Sequence, residues 1–136
     1  MIELIYPYEA ALPVIPPKTA GNPAAGSSMD ECFPIVEPNG LVIGRSSRTY
    51  CHSGAKPLHP VVHIHIIDRF SRIYLQKRSM RKFIQPGKWD TAVGGHVSFG
   101  ESFHEAAFRE ASEELGLTEF NPIHIETYIF ESEIEK

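Results

Sequence analysis

The stretch from Gly94 to Leu117 reads GGHVSFGESFHEAAFREASEELGL, and the rest of the chain is organised around it. Two glycines and a short polar turn precede a helix that we predict to begin near Ser102. Glu105 stands three residues after Ser102, the spacing of a capping box that satisfies free backbone N–H groups at a helix start. Gly116 follows the last helical residue, and glycine tolerates the positive φ with which many helices end. The stretch therefore predicts a polar turn followed by one capped helix.

The acidic residues of this helix occupy one face. Glu110, Glu113 and Glu114 stand at positions i, i+3 and i+4, so their side chains project from the same side. Like charges at this spacing repel each other by roughly 0.2–0.5 kcal/mol per pair. A bound cation would offset the repulsion, and clustered carboxylate oxygens suit Mg²⁺ or Mn²⁺. The alternative is an acidic amphipathic helix with a solvated face.

Alternating apolar residues predict strands before and after the helix. Residues 33–45 indicate a hairpin, because Asn39 and Gly40 form a turn signal between two apolar runs. Residues 61–67, 73–77 and 124–130 alternate in the way that is typical of strands. A strand at 61–67 places His63 and His65 on one face, which leaves open either a paired-histidine metal site or two polar side chains on the less buried face.

A basic loop lies between the predicted strands and the helix. Residues 77–88 contain five positive charges and no acidic residue. Such a loop is either a solvated surface or, beside a cluster of metal-binding carboxylates, a clamp for a polyanion. Arg78 at a strand end and Lys88 are the candidates for contacting a substrate. Trp89, which follows directly, is expected to pack in the core.

The spacing of the glycine-glutamate stretch resembles the Nudix box, G-x5-E-x7-R-E-U-x-E-E-x-G-U, in which U is a bulky aliphatic residue. Ala111, a small residue at a U position, is a mild departure from the pattern. The resemblance implies an α+β fold, an α/β/α sandwich around a mixed β-sheet with the box as a loop-helix-loop. It also implies hydrolysis of a diphosphate linked to another moiety. The residues that fill the pattern are Gly95, Glu101, Arg109, Glu110, Glu113, Glu114, Gly116 and Leu117.

The same resemblance implies roles for individual residues. Glu101 is assigned to metal binding or to the activation of water, and Arg109 to orienting Glu101 and Glu110. His96, inside the loop, is a candidate for a base, a role that varies within the family. The implied cofactor is Mg²⁺ or Mn²⁺. The predicted site is thus catalytic Glu101, Arg109, Glu110, Glu113 and Glu114; metal-binding Glu110, Glu113, Glu114 and the carbonyl of Gly94; and substrate-binding Arg78, Lys88, Gly95 and His96.

Residues upstream of the box resemble more narrowly the Nudix hydrolases related to isopentenyl diphosphate isomerase. In the isomerases, histidines that match His52, His59 and His96 bind a divalent metal. The isomerases also need a cysteine two residues before the last of these histidines, and this chain has Gly94 there. Glycine has no group that could protonate or deprotonate carbon, so a hydrolase is favoured over an isomerase. A catalytically silent Nudix module that binds a nucleotide-like ligand is the other alternative.

Composition limits the classes of partner. The net charge of −4 gives no basic footprint for a nucleic-acid polymer. No apolar run approaches the roughly 20 residues that cross a bilayer, and the N-terminus has no signal-peptide pattern. Two cysteines do not make a disulfide framework, although Cys51 beside His52 leaves a nucleophile or metal ligand open. We expect a cytoplasmic protein that binds a small-molecule diphosphate without a membrane, and a homodimer stays open.

The chain divides into two parts by composition. Residues 1–29 are rich in proline, alanine and glycine and are predicted to form an N-terminal extension, of which residues 1–8 have the pattern of a short edge strand. Residues 30–136 form the predicted Nudix domain. Only 19 residues follow Leu117, whereas family members continue through more strands and a helix. The domain is therefore expected to lack the usual C-terminal portion.

Overall fold

The computed structural model describes the backbone of residues 2–8 and all of residues 31–82 and 85–131. The elements are short strands and one long helix. None of the described helices combines the length and apolar character that a membrane span requires. In chain order the elements are β1 (Ile2–Tyr8), β2 (Cys32–Val36), β3 (Val42–Ser47), α1 (Arg48–Cys51), β4 (Val61–Asp68), β5 (Ile73–Lys77), β6 (Trp89–Thr91), β7 (Val93–His96), α2 (Phe103–Leu115) and β8 (Ile123–Thr127).

The main sheet is built around β4. Its strands run in the order β6-β5-β4-β1-β8, and β7 also pairs with β4. The β-branched run of β4 alternates as predicted: Val62, Ile64 and Ile66 are buried, whereas His63 and His65 are half-buried. The predicted β5 has the expected bounds, and the last strand is shorter than predicted, at Ile123–Thr127. β1 runs parallel to β4 and the other pairs are antiparallel, so the sheet is mixed as expected.

The N-terminal strand lies inside the sheet. Residues 2–8 do form the predicted strand, but β1 has β4 on one side and β8 on the other. The prediction of an edge strand was therefore wrong, because parallel pairing with a strand some 60 residues later leaves no local signal in the sequence. Residues 9–30 lie outside the described residues, and the predicted boundary near residue 30 stays a prediction.

The hairpin of β2 and β3 forms a separate two-stranded sheet. Its turn falls at Asn39-Gly40 as predicted, and the side chain of Asn39 accepts a hydrogen bond from the backbone N–H of Leu41 at 2.9 Å. Most of β3 is exposed, whereas Phe33 on β2 is fully buried. The hairpin thus inserts one large aromatic side chain into the rest of the molecule.

One helix covers one face of the main sheet. Ala106, Ala107 and Ala111 of α2 are fully buried against the sheet, and these small side chains let the helix approach it closely. Phe103, the first residue of α2, is 44% exposed. Trp89 was predicted to be core and is 66% exposed, because β6 is the last strand of the sheet. Its ring packs instead near the ammonium group of Lys77, 5.9 Å away.

The arrangement confirms the predicted α+β class. Among residues 31–82 and 85–131, α1 and α2 are the helices, and α1 has only four residues. The second helical layer that the resemblance implies for a sandwich is therefore not found in the described part of the chain. The fold does bring α2 against β7, and Phe33 of the β2–β3 hairpin stacks on His96 of β7.

Candidate functional site

The start and end of α2 are fixed by local hydrogen bonds. The hydroxyl of Ser102 accepts from the backbone N–H of Glu105 at 3.2 Å, and the Glu105 carboxylate accepts from the Ser102 N–H at 2.8 Å. The predicted capping box is therefore present. Gly116 ends the helix with a φ of 68°, a left-handed conformation that suits glycine. These contacts fix where α2 begins and ends.

A cleft of about 570 Å³ lies where β7, α1 and α2 meet. Glu110, Glu113 and Glu114 line one part of it. The lining also contains four histidines and four cationic residues: His52, His59, His63, His96, Arg48, Arg78, Lys82 and Arg109. The three glutamates of α2 and most of the predicted substrate contacts thus share one cavity.

Glu110 reaches the backbone of β7 because residue 95 is glycine. A Cβ at Gly95 would overlap the Glu110 carboxylate, so only glycine leaves room for it. That carboxylate accepts a hydrogen bond from Arg109 Nη1 at 2.7 Å. Burial raises the pKa of Glu110, and the Arg109 contact opposes this rise only in part. A buried carboxylate of raised pKa gains from a nearby cation.

The other two glutamates of the face differ in exposure. Glu114 accepts from the side-chain amide of Gln76 at 3.2 Å, and the backbone of Gly94 is also hydrogen-bonded to it. Burial raises the pKa of Glu114 despite these contacts. The Glu113 side chain is 60% exposed and lies 3.7 Å from Arg109 Nη1. The two more buried carboxylates are therefore held in place, whereas Glu113 projects into the open part of the cleft.

Arg109 connects the cleft to the loop before α2. Its guanidinium donates to both oxygens of Glu101, at 2.8 and 2.9 Å, and to the carbonyl oxygen of His96 at 2.9 Å. The predicted contacts of Arg109 with Glu101 and Glu110 are thus present. The hydrogen bonds from Arg109, against a smaller effect of burial, lower the pKa of Glu101. Glu101 does not line the cleft, and its predicted catalytic role stays a prediction.

The carboxylate cluster fits a hard divalent cation. All of its side-chain donors are oxygens, which Mg²⁺ and Mn²⁺ prefer. Burial raises the pKa of two of the three carboxylates, Glu110 and Glu114, because it disfavours their charged form. Gly94 lines the same cleft. The predicted metal ligands Glu110, Glu113, Glu114 and Gly94 therefore lie together, and their ligation of an ion stays a prediction.

The cationic side of the cleft differs from the prediction at one position. Arg78 lines the cleft and donates to Asp90 at 2.7 Å. Lys88 does not line it, because the loop folds back so that the backbone N–H of Arg78 donates to the carbonyl of Lys88. Lys82 takes its place in the cleft. The second basic residue that this loop contributes to the cleft is therefore Lys82, where the sequence predicted Lys88.

Arg48 is a cleft residue that the sequence reasoning missed. It lies on α1, lines the cleft, and donates to Glu31 at 2.9 Å. A local signal was available, since Arg48 precedes His52 by four residues, one helical turn. The short helix therefore brings both residues to the same cavity.

Three imidazoles converge in the cleft. His52, His59 and His96 offer ligand nitrogens that all lie within 4.8 Å of one another. The Nδ1 atoms of His52 and His59 lie 3.0 and 2.8 Å from the carbonyl oxygens of Arg48 and Pro57. A carbonyl only accepts, so each Nδ1 carries the proton and each Nε2 keeps its lone pair. This tautomer is the one that metal-binding histidines adopt when the other ring nitrogen is held by a carbonyl.

His96 completes the cluster as a neutral imidazole. Burial, followed by the charge of Arg48 and by the neighbouring histidines, lowers the pKa of His96 to about 2. Its Nε2 is buried and has no hydrogen-bond partner among the described residues. Imidazole nitrogens that converge in this way suit a transition-metal ion such as Zn²⁺ or Ni²⁺. The three histidines that the isomerase resemblance singled out are therefore brought together.

His63 and His65 lie outside the group of possible metal ligands found among the described residues. The paired-histidine site that the sequence left open stays a prediction. His63 donates through Nδ1 to the hydroxyl of Thr91 at 2.9 Å, because that hydroxyl uses its own proton on the carbonyl of Val93. Its ring covers Gly94, where an added Cβ would lie 3.4 Å from Cε1. His63 thus forms part of the cleft wall.

Cys51 is placed as a core residue. Its side chain is fully buried, and burial, with a smaller effect of Cys32, raises the pKa of its thiol. A thiol of raised pKa is a poor nucleophile and a poor metal ligand. The cluster of possible ligands beside it contains His52 but not Cys51.

Comparison with known proteins agrees with this arrangement. The family model described as NUDIX domain matches residues 57–134. An isopentenyl-diphosphate Delta-isomerase of Streptomyces griseus is 30% identical over 107 residues, 79% of this chain and 54% of the relative. An uncharacterised Nudix hydrolase of Streptomyces coelicolor is 38% identical over 90 residues, 66% of this chain and 49% of the relative. The chain thus spans about half the length of the curated relatives it matches.

A solved structure shows the same fold. The crystal structure of DR0079 from Deinococcus radiodurans superposes with a TM-score of 0.59 at 31% sequence identity. The match covers 64% of this chain and 53% of that chain. The fold of the matched part of the chain is therefore shared with a protein whose structure was determined by crystallography.

Proposed function

This chain belongs to the NUDIX domain family, and from that membership we propose that it is a divalent-metal-dependent hydrolase of a diphosphate linkage. The substrate class is a nucleoside diphosphate derivative or a related organic pyrophosphate, a small molecule rather than a nucleic-acid polymer. The cofactor is Mg²⁺ or Mn²⁺.

One observation carries this proposal: the cleft combines a carboxylate cluster with cationic side chains. Glu110, Glu113 and Glu114 supply oxygen ligands, and Arg78 and Lys82 supply positive charge in the same cavity. A diphosphate carries several negative charges, so it needs cations both at its phosphates and at the point where water attacks. A cleft that only bound a neutral ligand would need neither group.

The residues of the cleft have separate tasks in this mechanism. A bound Mg²⁺ or Mn²⁺ would neutralise phosphate oxygens and lower the pKa of a water molecule. Arg109 holds Glu110 in place, and Gln76 holds Glu114. Glu101 fixes Arg109 from the far side with both of its oxygens. Arg78 binds and orients the phosphate groups as a bidentate donor.

A second candidate, an isomerase-like activity on a prenyl diphosphate, is favoured by the cluster of His52, His59 and His96. Relatives at 28–37% identity carry the isomerase name. Gly94 opposes this candidate, because glycine offers no proton donor or acceptor at the position where the isomerases need a cysteine. The hydrolase is therefore the first proposal and the isomerase the second.

The test is turnover on a panel of nucleoside diphosphate derivatives and prenyl diphosphates, with Mg²⁺ and with EDTA. Glu113→Gln removes one carboxylate charge from the open part of the cleft, and Glu119→Gln, an exposed glutamate outside the cleft, is the matched control. Losing a partner of a metal ligand costs 10–100-fold, so losing a ligand should lower turnover by about 100-fold or more. Glu119→Gln should match the wild-type protein.

Two outcomes would contradict the hydrolase. In the first, the folded protein binds Mg²⁺ but cleaves nothing on the panel, as expected of a silent binding module. In the second, a prenyl diphosphate changes its double-bond position without releasing phosphate, which is the isomerase result. Cleavage that survives EDTA or Glu113→Gln would point to a contaminating enzyme.

A further inference from the structure

The three histidines of the cleft form a cluster that needs to be held together. His52, His59 and His96 direct their ligand nitrogens to within 4.8 Å of one another. Two of the Nε2 atoms carry lone pairs, because the Nδ1 protons are donated to backbone carbonyls. Two lone pairs cannot hydrogen-bond to each other, so contacts with other groups, including the packing around the rings, hold the imidazoles in this orientation.

Phe33 supplies that packing. Its ring stacks on His96 with centroids 4.3 Å apart and planes inclined by 3°. It also stacks with His59 at 5.7 Å and 12°, and meets His52 edge-on at 6.4 Å and 84°. One buried phenyl ring thus contacts all three imidazoles, and such aromatic contacts stabilise the arrangement of the rings beyond the effect of their buried area.

Phe33 belongs to a hairpin that lies outside the main sheet. It lies on β2, whose two-stranded sheet with β3 does not pair with the main sheet. Of the large hydrophobic side chains in this hairpin, Phe33 is fully buried, whereas Leu41, Val42 and Ile43 are exposed. The hairpin therefore reaches the histidines through this ring.

We infer that Phe33 is a positioning residue that holds His52, His59 and His96 in the geometry that binds a divalent transition-metal ion. The β2–β3 hairpin is then a structural part of the metal site. The inference rests on an ion at the histidine cluster, as the second candidate function requires, and does not depend on hydrolysis at the glutamates. A ring that only filled space would affect stability without affecting the affinity for the ion.

The experiment titrates the full chain with Co²⁺ alone, following the visible absorption bands that report ligand number and geometry, and then displaces Co²⁺ with Zn²⁺. Phe33→Leu removes the ring but keeps an apolar side chain, and Phe33→Tyr keeps the ring. Ile66→Val, in the core on the α2 face, is the control for a loss of packing alone. The double variant with His52→Ala and His59→Ala lacks two of the three possible ligands. The Co²⁺ absorption that this variant loses is the part that comes from the histidine cluster.

Phe33→Leu should weaken Co²⁺ binding by about 10–100-fold, the usual effect of removing a group that orients metal ligands, and should shift the absorption bands. Phe33→Tyr and Ile66→Val should bind within about threefold of the wild-type affinity. The inference is overturned if Phe33→Leu binds Co²⁺ like the wild-type protein with the same spectrum, or if Ile66→Val weakens binding equally. It is also overturned if wild-type binding survives the double histidine variant.

A second measurement needs no aliphatic variant and covers the case in which Phe33→Leu does not fold. In wild-type protein with ¹³C-labelled phenylalanine rings, Zn²⁺ should shift the signals of Phe33, which Phe33→Tyr identifies, and Mg²⁺ should leave them in place. Unshifted Phe33 signals at saturating Zn²⁺ would contradict the inference. Mg²⁺-dependent turnover is measured on the same samples to separate the proposed hydrolysis from the proposed role of Phe33. Hydrolysis depends on Glu113 and does not depend on the contacts between Phe33 and the histidines.

Discussion

Replacing Gly95 with alanine should strongly lower hydrolytic turnover while leaving the fold intact. The added Cβ would overlap the carbon and both oxygens of the Glu110 carboxylate. The φ of Gly95 is not among the positive values of the chain, so alanine brings no backbone strain. The change therefore acts on one side chain, the carboxylate that Arg109 holds against β7.

The size of the effect follows from how far that carboxylate must move. An ordinary van der Waals contact begins at 3.4 Å, so the Glu110 carboxylate must shift by about 1 Å or more. A misplacement of about 1 Å can cost 10²-fold in rate, which corresponds to about 2.7 kcal/mol. The free energy of unfolding should change by less than about 1 kcal/mol, because the displaced group ends a flexible side chain and alanine favours a strand over glycine by roughly 0.5–1 kcal/mol.

Two assays on the same protein check this prediction. Mg²⁺-dependent turnover of the substrate found in the panel should fall by about 100-fold, and denaturant unfolding should keep nearly the same midpoint. Gly44→Ala is the matched control, because a Cβ there meets nothing within 4 Å and its φ is also ordinary. It should change neither turnover nor the midpoint.

Full activity of Gly95→Ala would refute the reasoning, since it would mean that Glu110 is not needed where the structure places it. A loss of activity accompanied by a large loss of stability would equally contradict it, because the effect would then be one of folding. The same loss in Gly44→Ala would show that the assay does not report on the cleft.

Three further predictions concern the cleft wall, the helix start and a surface turn. Arg78→Ala should raise KM about tenfold with little change in kcat, whereas Lys88→Ala should stay within about twofold of wild type in steady-state kinetics. Ser102→Ala should lower the free energy of unfolding by about 1 kcal/mol in denaturant, and Ser102→Asp should not. Burial acts to raise the pKa of Asp68, but stronger combined hydrogen bonds from Arg72 lower it. The stability that Asp68 adds is therefore present above its unfolded pKa and lost as the pH falls through the lowered folded value, so Asp68→Asn should flatten the acid side of a Tm-against-pH curve.

The parts of the fold that could be predicted from the sequence are those that depend on interactions between neighbouring residues. The bounds of α2 follow from Ser102, Glu105 and Gly116, which act through hydrogen bonds and φ values within a few residues. The burial of β4 follows from its alternation, which any half-buried strand shows. These features were predictable because their physical causes are local.

The features that were missed depend on distant parts of the chain. The interior position of β1 requires parallel pairing with β4, and no pattern within residues 2–8 distinguishes an interior strand from an edge strand. The exposure of Trp89 depends on β6 being the last strand of the sheet. The residues next to Trp89, Lys88 and Asp90, do not indicate whether its strand has a neighbour on both sides.

The acidic residues of the candidate site were easier to predict from the sequence than its basic residues. The glutamates of α2 share a face by helical geometry alone, so their meeting in the cleft follows from their spacing. Basic residues of a loop have no such periodicity, and the path of the loop decides that Lys82 rather than Lys88 lines the cleft. Arg48 lines the cleft because α1 folds against it.

The central claim, hydrolysis of a diphosphate in this cleft, is tested most directly by carrying out the reaction in ¹⁸O-labelled water. The wild-type protein with Mg²⁺ is incubated with the compound of the panel that it is found to cleave. In a separate reaction it is incubated with a prenyl diphosphate. The account predicts ¹⁸O in a released phosphate-containing product, and no label with EDTA or with Glu113→Gln. An intact diphosphate with a moved double bond and no ¹⁸O in phosphate would contradict it.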